Sequence, residues 1–307
     1  MPQGTLLLIS KTILPIFTIV GMGFLFSRIT KLKLDPLIDI IIYITSPCLV
    51  FTSLINEEFV AREFASIASG AFFVMLCGGF LIFLFSKIRR FDPRPFYLPV
   101  MFPNTGNMGL PVSLFALGTM GLSKGIIYHV ASCLLFYSLG VYLLSKKSGI
   151  KTTLKIPVVY AAIIGIILSI YRQPLIQFLN THPFFFEFLR MGKKTIEMVA
   201  WPTIPLMLLM LGDRLSHTKV TSFRLPLICA LARIVMGLSL ALIFVNLFKI
   251  TGLNRAIIIL ISSLSSPIAS FMFAQKFDAR PELAASTILI STLLMIITIP
   301  LVLAFLC

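Results

Sequence analysis

The chain has 307 residues, of which 58% are apolar and only 12% charged. A soluble globular domain carries about a quarter charged residues, so this composition excludes a water-soluble body and matches lipid as the solvent. The formal net charge of +15 does not mark a nucleic-acid binder, because the basic residues lie in short connections between apolar runs instead of on one wetted face interleaved with aromatics.

A membrane helix needs ~20 mostly apolar residues to cross ~30 Å of hydrocarbon. Apolar runs bounded by charge predict ten such helices, at 6–27, 37–55, 66–86, 96–118, 125–144, 156–171, 195–212, 225–248, 256–274 and 283–306. The first run continues from Leu6 to Ser27 without a small-residue cleavage site, so it reads as a retained helix and not as a signal peptide. The crossings leave no room for a soluble catalytic domain.

The connections after the odd-numbered helices hold 16 Lys and Arg, including Lys87, Arg89, Arg90 and Arg94 and, further on, Lys146, Lys147, Lys151 and Lys155; the other connections, with Lys11 near the amino terminus, hold 9. Cytoplasmic connections carry the excess, so both termini are expected on the non-cytoplasmic side, at the inner membrane if the cell is bacterial. The bias comes from the first half, 11 against 3, while the second half splits 5 to 6.

Five helices per half is an odd number. If residues 1–155 and 156–307 share one fold, they lie in opposite orientations, which is the inverted-repeat plan of many secondary transporters. The prolines follow that symmetry: Pro47 and Pro111 are 64 residues apart, and Pro202 and Pro267 are 65 apart. Each of the four also fits a tolerated kink.

In the fourth run, Pro103-Asn104-Thr105-Gly106-Asn107-Met108-Gly109-Leu110-Pro111 places two prolines, two glycines and two asparagines at mid-membrane. Proline removes backbone donors and glycine frees the dihedrals, so a continuous helix is not expected. Unwound backbone at that depth survives only when it is buried in protein or lines a wet cavity. The counterpart in the ninth run, Ser262-Ser263-Leu264-Ser265-Ser266-Pro267-Ile268-Ala269-Ser270, is a weaker signal, because serines also bond back to their own carbonyls or let helices pack closely. Two breaks would leave two half-helix amino termini, each worth about +0.5 charge, near the membrane centre. With the amides of Asn104 and Asn107 they would form an anion site that suits a carboxylate. Thr105, Gly106, Gly109, Ser265 and Ser266 complete the expected site, together with Pro47, Pro111, Pro202 and Pro267.

These residues resemble the auxin efflux carrier family, which includes plant auxin exporters and bacterial carriers of malate or malonate. The similarity covers nearly the whole chain, through Asn104 to Pro111, Ile204-Pro205-Leu206 to Gly212, and Ser266-Pro267 through Pro281-Glu282-Leu283-Ala284-Ala285-Ser286 to Ser291-Thr292. The resemblance implies an all-α membrane protein of ten helices in an inverted five-plus-five repeat, with helices four and nine crossing at broken centres. It also implies a scaffold of helices one, two, six and seven against which the other six move. Plant members read Asn-Pro-Asn-Thr in helix four, where this chain has Phe102, Pro103, Asn104 and Thr105. Small carboxylates, and not auxin, are therefore the expected cargo.

Arg233 lies nine residues inside the run that follows Arg224, where a charge must be satisfied. It can neutralise a substrate carboxylate or pair with a carboxylate or carbonyl of the protein. Asp39 and Asp213, near helix ends, read as caps or partners of loop lysines, and His129 as a buried or interfacial histidine that could titrate near neutral pH. No Asp or Glu stands at mid-membrane, which leaves the coupling ion, proton or sodium, open. A homodimer is likewise left open. The run Phe184, Phe185, Phe186 and Phe188 reads as an interfacial loop, and Gly78-Gly79 and Gly21-Met22-Gly23 as sites of close helix packing.

Cys48, Cys77, Cys133, Cys229 and Cys307 have neither metal nor redox spacing, and no cofactor is expected. Two rival readings remain. The first is a sodium/proton antiporter or sodium-coupled carrier, since crossing broken helices also hold cations. The second is an intramembrane serine hydrolase using Ser265 or Ser266; zinc-protease chemistry lacks its His-Glu-x-x-His run.

Overall fold

Apolar surface points outward along most of the length of the molecule. Leu14, Met22 and Ile29 on the first helix, Phe80 and Phe85 on the third long helix, and Ile297, Leu301 and Phe305 on the last are all exposed. Such a surface is stable only against lipid. The computed structural model describes residues 3–30, 35–56, 60–145, 156–218 and 222–306; they are almost entirely helical, and no strand occurs among them. The sequence-derived boundary at 155 and the basic run 146–155 lie outside the described residues, as does Cys307.

In chain order the helices are α1 (Gln3–Thr30), α2 (Leu37–Asn56), α3 (Ala61–Arg89), α4 (94–101), α5 (105–117), α6 (119–145), α7 (Pro157–Ile170), α8 (Arg172–Asn180), α9 (Pro183–Ala200), α10 (Thr203–His217), α11 (Arg224–Leu247), α12 (Gly252–Ser262), α13 (Ala269–Lys276) and α14 (Pro281–Leu306). Among the described residues, seven stretches are long and apolar enough to cross a membrane, or eight when α7 and α8, bent by 68°, count as one. The chain is thus a multi-pass, all-helical integral membrane protein.

One of those stretches, Arg94–Leu144, runs for 51 residues, which as a straight rod would extend about 76 Å at ~1.5 Å per residue. It is folded instead at two points. Residues 102–104 leave the helix, with Phe102 extended at φ −103°, ψ 136°. At Gly118 the backbone takes φ 70°, ψ −165°, a region open to glycine but not to residues with a Cβ.

The predicted helix at 195–212 is corrected. The chain breaks at Trp201-Pro202, where proline cannot continue the hydrogen-bond ladder, and forms α9 and α10 on either side. The Phe184 to Phe188 segment, expected as a loop, is the beginning of α9. Pro183 at its first turn suits helix initiation, and the phenylalanines remain exposed, Phe184 at 87%.

The centre of the molecule is α12. Ile257, Ile258, Ile259, Leu260 and Ile261 are all buried without residual exposure. A helix that is apolar on every face and shielded from lipid is one enclosed by its neighbours; α12 packs on α3, α6, α11 and α14. Elsewhere α1 and α10 lie against one another at very short range. A Cβ added at Gly212 would stand 2.0 Å from the Val20 carbonyl oxygen, and one at Gly23 would stand 2.2 Å from that of Leu209. Of the Gly21-Met22-Gly23 run, Gly23 makes the contact while Gly21 faces open space.

Candidate functional site

Both predicted breaks are present, and they meet. Between α4 and α5 the chain unwinds at 102–104, and between α12 and α13 it unwinds across 263–268. The Asn104 N–H donates to the Ser265 carbonyl at 2.8 Å, joining positions 161 residues apart (265 − 104). The Ser266 hydroxyl donates to the Pro99 carbonyl at 2.5 Å, and the Ser266 N–H to Ser291 Oγ at 3.1 Å. The Ser265 N–H points at Met295 Sδ, 3.2 Å away. Each break therefore supplies hydrogen bonds that the other has lost by unwinding.

The two halves that enter the crossing, α4 and α12, end there with orphan carbonyls and the negative end of their dipoles. Arg233, on α11 and fully buried, serves both. Its Nη1 donates to the carbonyls of Val100 at 3.1 Å and Met101 at 2.7 Å, and its Nη2 to that of Ser262 at 2.6 Å. Of the two partners open to Arg233 on sequence, the structure shows the protein's own carbonyls, and Arg233 does not line the cavity described below. Gly237, one turn on, leaves the space: a Cβ there would fall 1.9 Å from Arg233 Nη2 and 2.0 Å from the Ser262 oxygen.

The two halves that leave the crossing, α5 and α13, begin beside a cavity of about 170 Å³. Pro103, Asn104, Thr105, Gly106 and Asn107 form one part of its wall, and Pro267, Ile268 and Ala269 another. The first turn of α5 is wide, its first ladder bond running from the Gly109 N–H to the Asn104 carbonyl at 2.9 Å. The amides of Gly106 and Asn107 precede that bond and have no acceptor within the helix. Asn104 is 3% exposed, and its Nδ2 has no hydrogen-bond partner. A buried amide left unpaired costs about 1–3 kcal/mol.

Of the other residues expected here, Gly109 faces Leu264 and Ile261 across the crossing, where an added Cβ would stand 3.5 and 3.6 Å from them, and Pro111 is buried in the second turn of α5. Ser265 and Ser266 belong to the crossing, while Pro47 and Pro202 stand outside the cavity wall. Ser46, beside Pro47, does line it. Ser265 Oγ has no hydrogen-bond partner and the Ser266 hydroxyl is bound to Pro99, so neither is paired with a general base.

Among the wall residues that sequence did not place in the site are Arg214, Met207 and Met210, which share one stripe of α10. The spacing of three and four residues was legible, but without tertiary structure nothing distinguished that stripe from one facing lipid or core. His129, on α6, also lines the cavity and holds Thr105 Oγ1 at 2.7 Å from its Nδ1. Asp213, next to Arg214, turns the other way: its Oδ1 accepts from Ser27 Oγ at 2.6 Å, at the contact between α10 and α1.

The model of a family described as membrane transport protein matches residues 8–153 and 142–303. An uncharacterized transporter of Methanothermobacter thermautotrophicus is 24% identical, over 95% of this chain and 96% of its own length. An uncharacterized transporter of Methanocaldococcus jannaschii is 26% identical, over 86% of each chain. The chain belongs to this membrane transport protein family, that of the auxin efflux carriers.

Proposed function

We propose that the protein is a secondary transporter of small organic anions such as malate, malonate or other carboxylates, working by alternating access around the crossed breaks. One observation carries this reading. The carbonyl ends of the crossing are neutralised by Arg233, while its amide ends begin beside a cavity that Asn104, Gly106 and Asn107 help to line. That asymmetry favours a negative guest. No Asp or Glu stands among the described residues of the cavity wall, so a sodium or proton antiporter site has no carboxylate ligand there.

The same reading divides Arg94–Leu144 at Gly118 into two crossings and counts the pair α12 and α13 as one. With α10 as the seventh, this gives ten crossings in two inverted sets of five. The cavity walls run from the crossing to the start of α2 at Ile38, to Ile156 before α7, to Arg214 near the end of α10 and to Met272 on α13. All four lie toward the face that carries the basic connections, which is the cytoplasmic face by the positive-inside rule. The cavity therefore belongs to the inward-facing state.

The test is flux through proteoliposomes with labelled malate, malonate, lactate and indole acetate. Asn104→Ala and Asn107→Ala are each expected to lower carboxylate flux about tenfold or more, corresponding to the loss of one charge-assisted hydrogen bond of about 1.5–3 kcal/mol. Wild-type flux in both variants at equal incorporation would remove this site.

A further inference from the structure

We infer that His129 carries the coupling proton, so that an anion and a proton enter the cavity together. This rests on the anion reading above and adds the coupling ion to it. His129 is 9% exposed and lies on the cavity wall beside the first turn of α5. A Cβ placed on Gly106 would sit 3.3 Å from its Cε1 and 3.9 Å from its Nδ1, so the ring stands directly against Gly106 in that turn. The ring contacts Cys133 Sγ at 3.6 and 3.8 Å on its own helix. The titratable or charged groups that the elements around the cavity direct into it are Cys133 and Tyr137 on α6 and Arg214 on α10; the wall residues given by α2, by 156–158 and by the 267–272 stretch include none. Lys124, on the same helix as His129, points to the far side and is paired with Glu63 at 2.5 Å.

Thr105 connects the proton to the anion. A neutral imidazole can either donate to Thr105 Oγ1 or accept from it through Nδ1, whereas an imidazolium donates from both nitrogens. Once His129 is protonated, Nδ1–H points at Thr105 Oγ1 and the threonine hydroxyl hydrogen turns elsewhere. Thr105 is itself a wall residue next to Asn104, so a carboxylate in the cavity is an acceptor for that hydrogen. The proton comes from hydronium on the open side, whose O–H bond breaks as the N–H bond forms and leaves a water molecule, and the reverse step returns it to water when the anion leaves. Because linkage is reciprocal, the anion stabilises the imidazolium by the same factor as the imidazolium tightens the anion.

The experiment uses the full chain in proteoliposomes with the membrane potential clamped to zero and labelled malonate, malate and lactate as probes. With the outside more acidic by one pH unit, the wild type is expected to accumulate the carried anion up to about tenfold above its level at equal pH, the ratio that one proton per anion allows. A sodium gradient at equal pH is expected to drive none. In His129→Gln the ratio with and without the pH gradient is expected to fall to about one. A second measurement needs no change at His129. The chain has three histidines, and in a His182→Gln/His217→Gln background the ¹⁵N imidazole resonance of His129 is expected to move from the neutral to the protonated position when malonate saturates the site at fixed pH. Accumulation driven by pH in His129→Gln, accumulation driven by sodium, or an imidazole resonance that malonate leaves unmoved would each overturn the inference. A wild type that carries these anions with no response to pH removes the inference alone, whereas one that carries none under any gradient removes the anion reading with it.

Discussion

Arg233 satisfies three carbonyls with two nitrogens at a place where neither water nor lipid could do so. Truncation to methionine would leave those acceptors unpaired in a dry interior, at about 1–3 kcal/mol each. Arg233→Met is therefore expected to lower stability in detergent by several kcal/mol, read as an earlier loss of the monodisperse peak on heating. Gly237→Ala should approach the same result without touching the charge, since its methyl group would occupy the position of Nη2. Lysine at 233 carries the charge but lacks the planar fork that reaches both α4 and α12, so it should recover only part of the loss.

At the scale of elements, the contact of α1 with α10 depends on two absent side chains. A methyl group on Gly212 would meet backbone atoms at 2.0–3.0 Å, which no rotamer change relieves. Gly212→Ala is expected to push the two helices apart and to cost at least about 1–3 kcal/mol, as overpacked cores do. Gly21→Ala on α1, facing open space, is expected to cost nothing measurable, and comparing the two melting curves checks the geometry. The separation should also loosen the bond from Ser27 to Asp213, which bridges the same pair of helices.

For the whole molecule, the inward-facing assignment predicts sidedness. In a variant whose cysteines are replaced, a single cysteine at Arg90, after α3, should react with a membrane-impermeant maleimide only from the cytoplasm. One at Thr251, before α12, should react only from outside. The reverse pattern would invert the molecule and turn the cavity to the exterior.

How much of this was legible in the chain follows from the range of each signal. Lipid as the solvent, the long helices and the break at Pro103 to Pro111 are written in composition, run length and local backbone chemistry, which act within a few residues and need no partner. The weak serine run before Pro267 was readable only as the counterpart of that break. Tertiary structure alone decided that Asn104 would bond to Ser265, that Arg233 would serve carbonyls instead of the cavity, and that Met207, Met210, Arg214 and His129 would face the same space. Those outcomes depend on how helices far apart in sequence rotate about their axes as they pack. A membrane interior supplies little hydrophobic contrast between lipid-facing and protein-facing sides to record that rotation in the sequence.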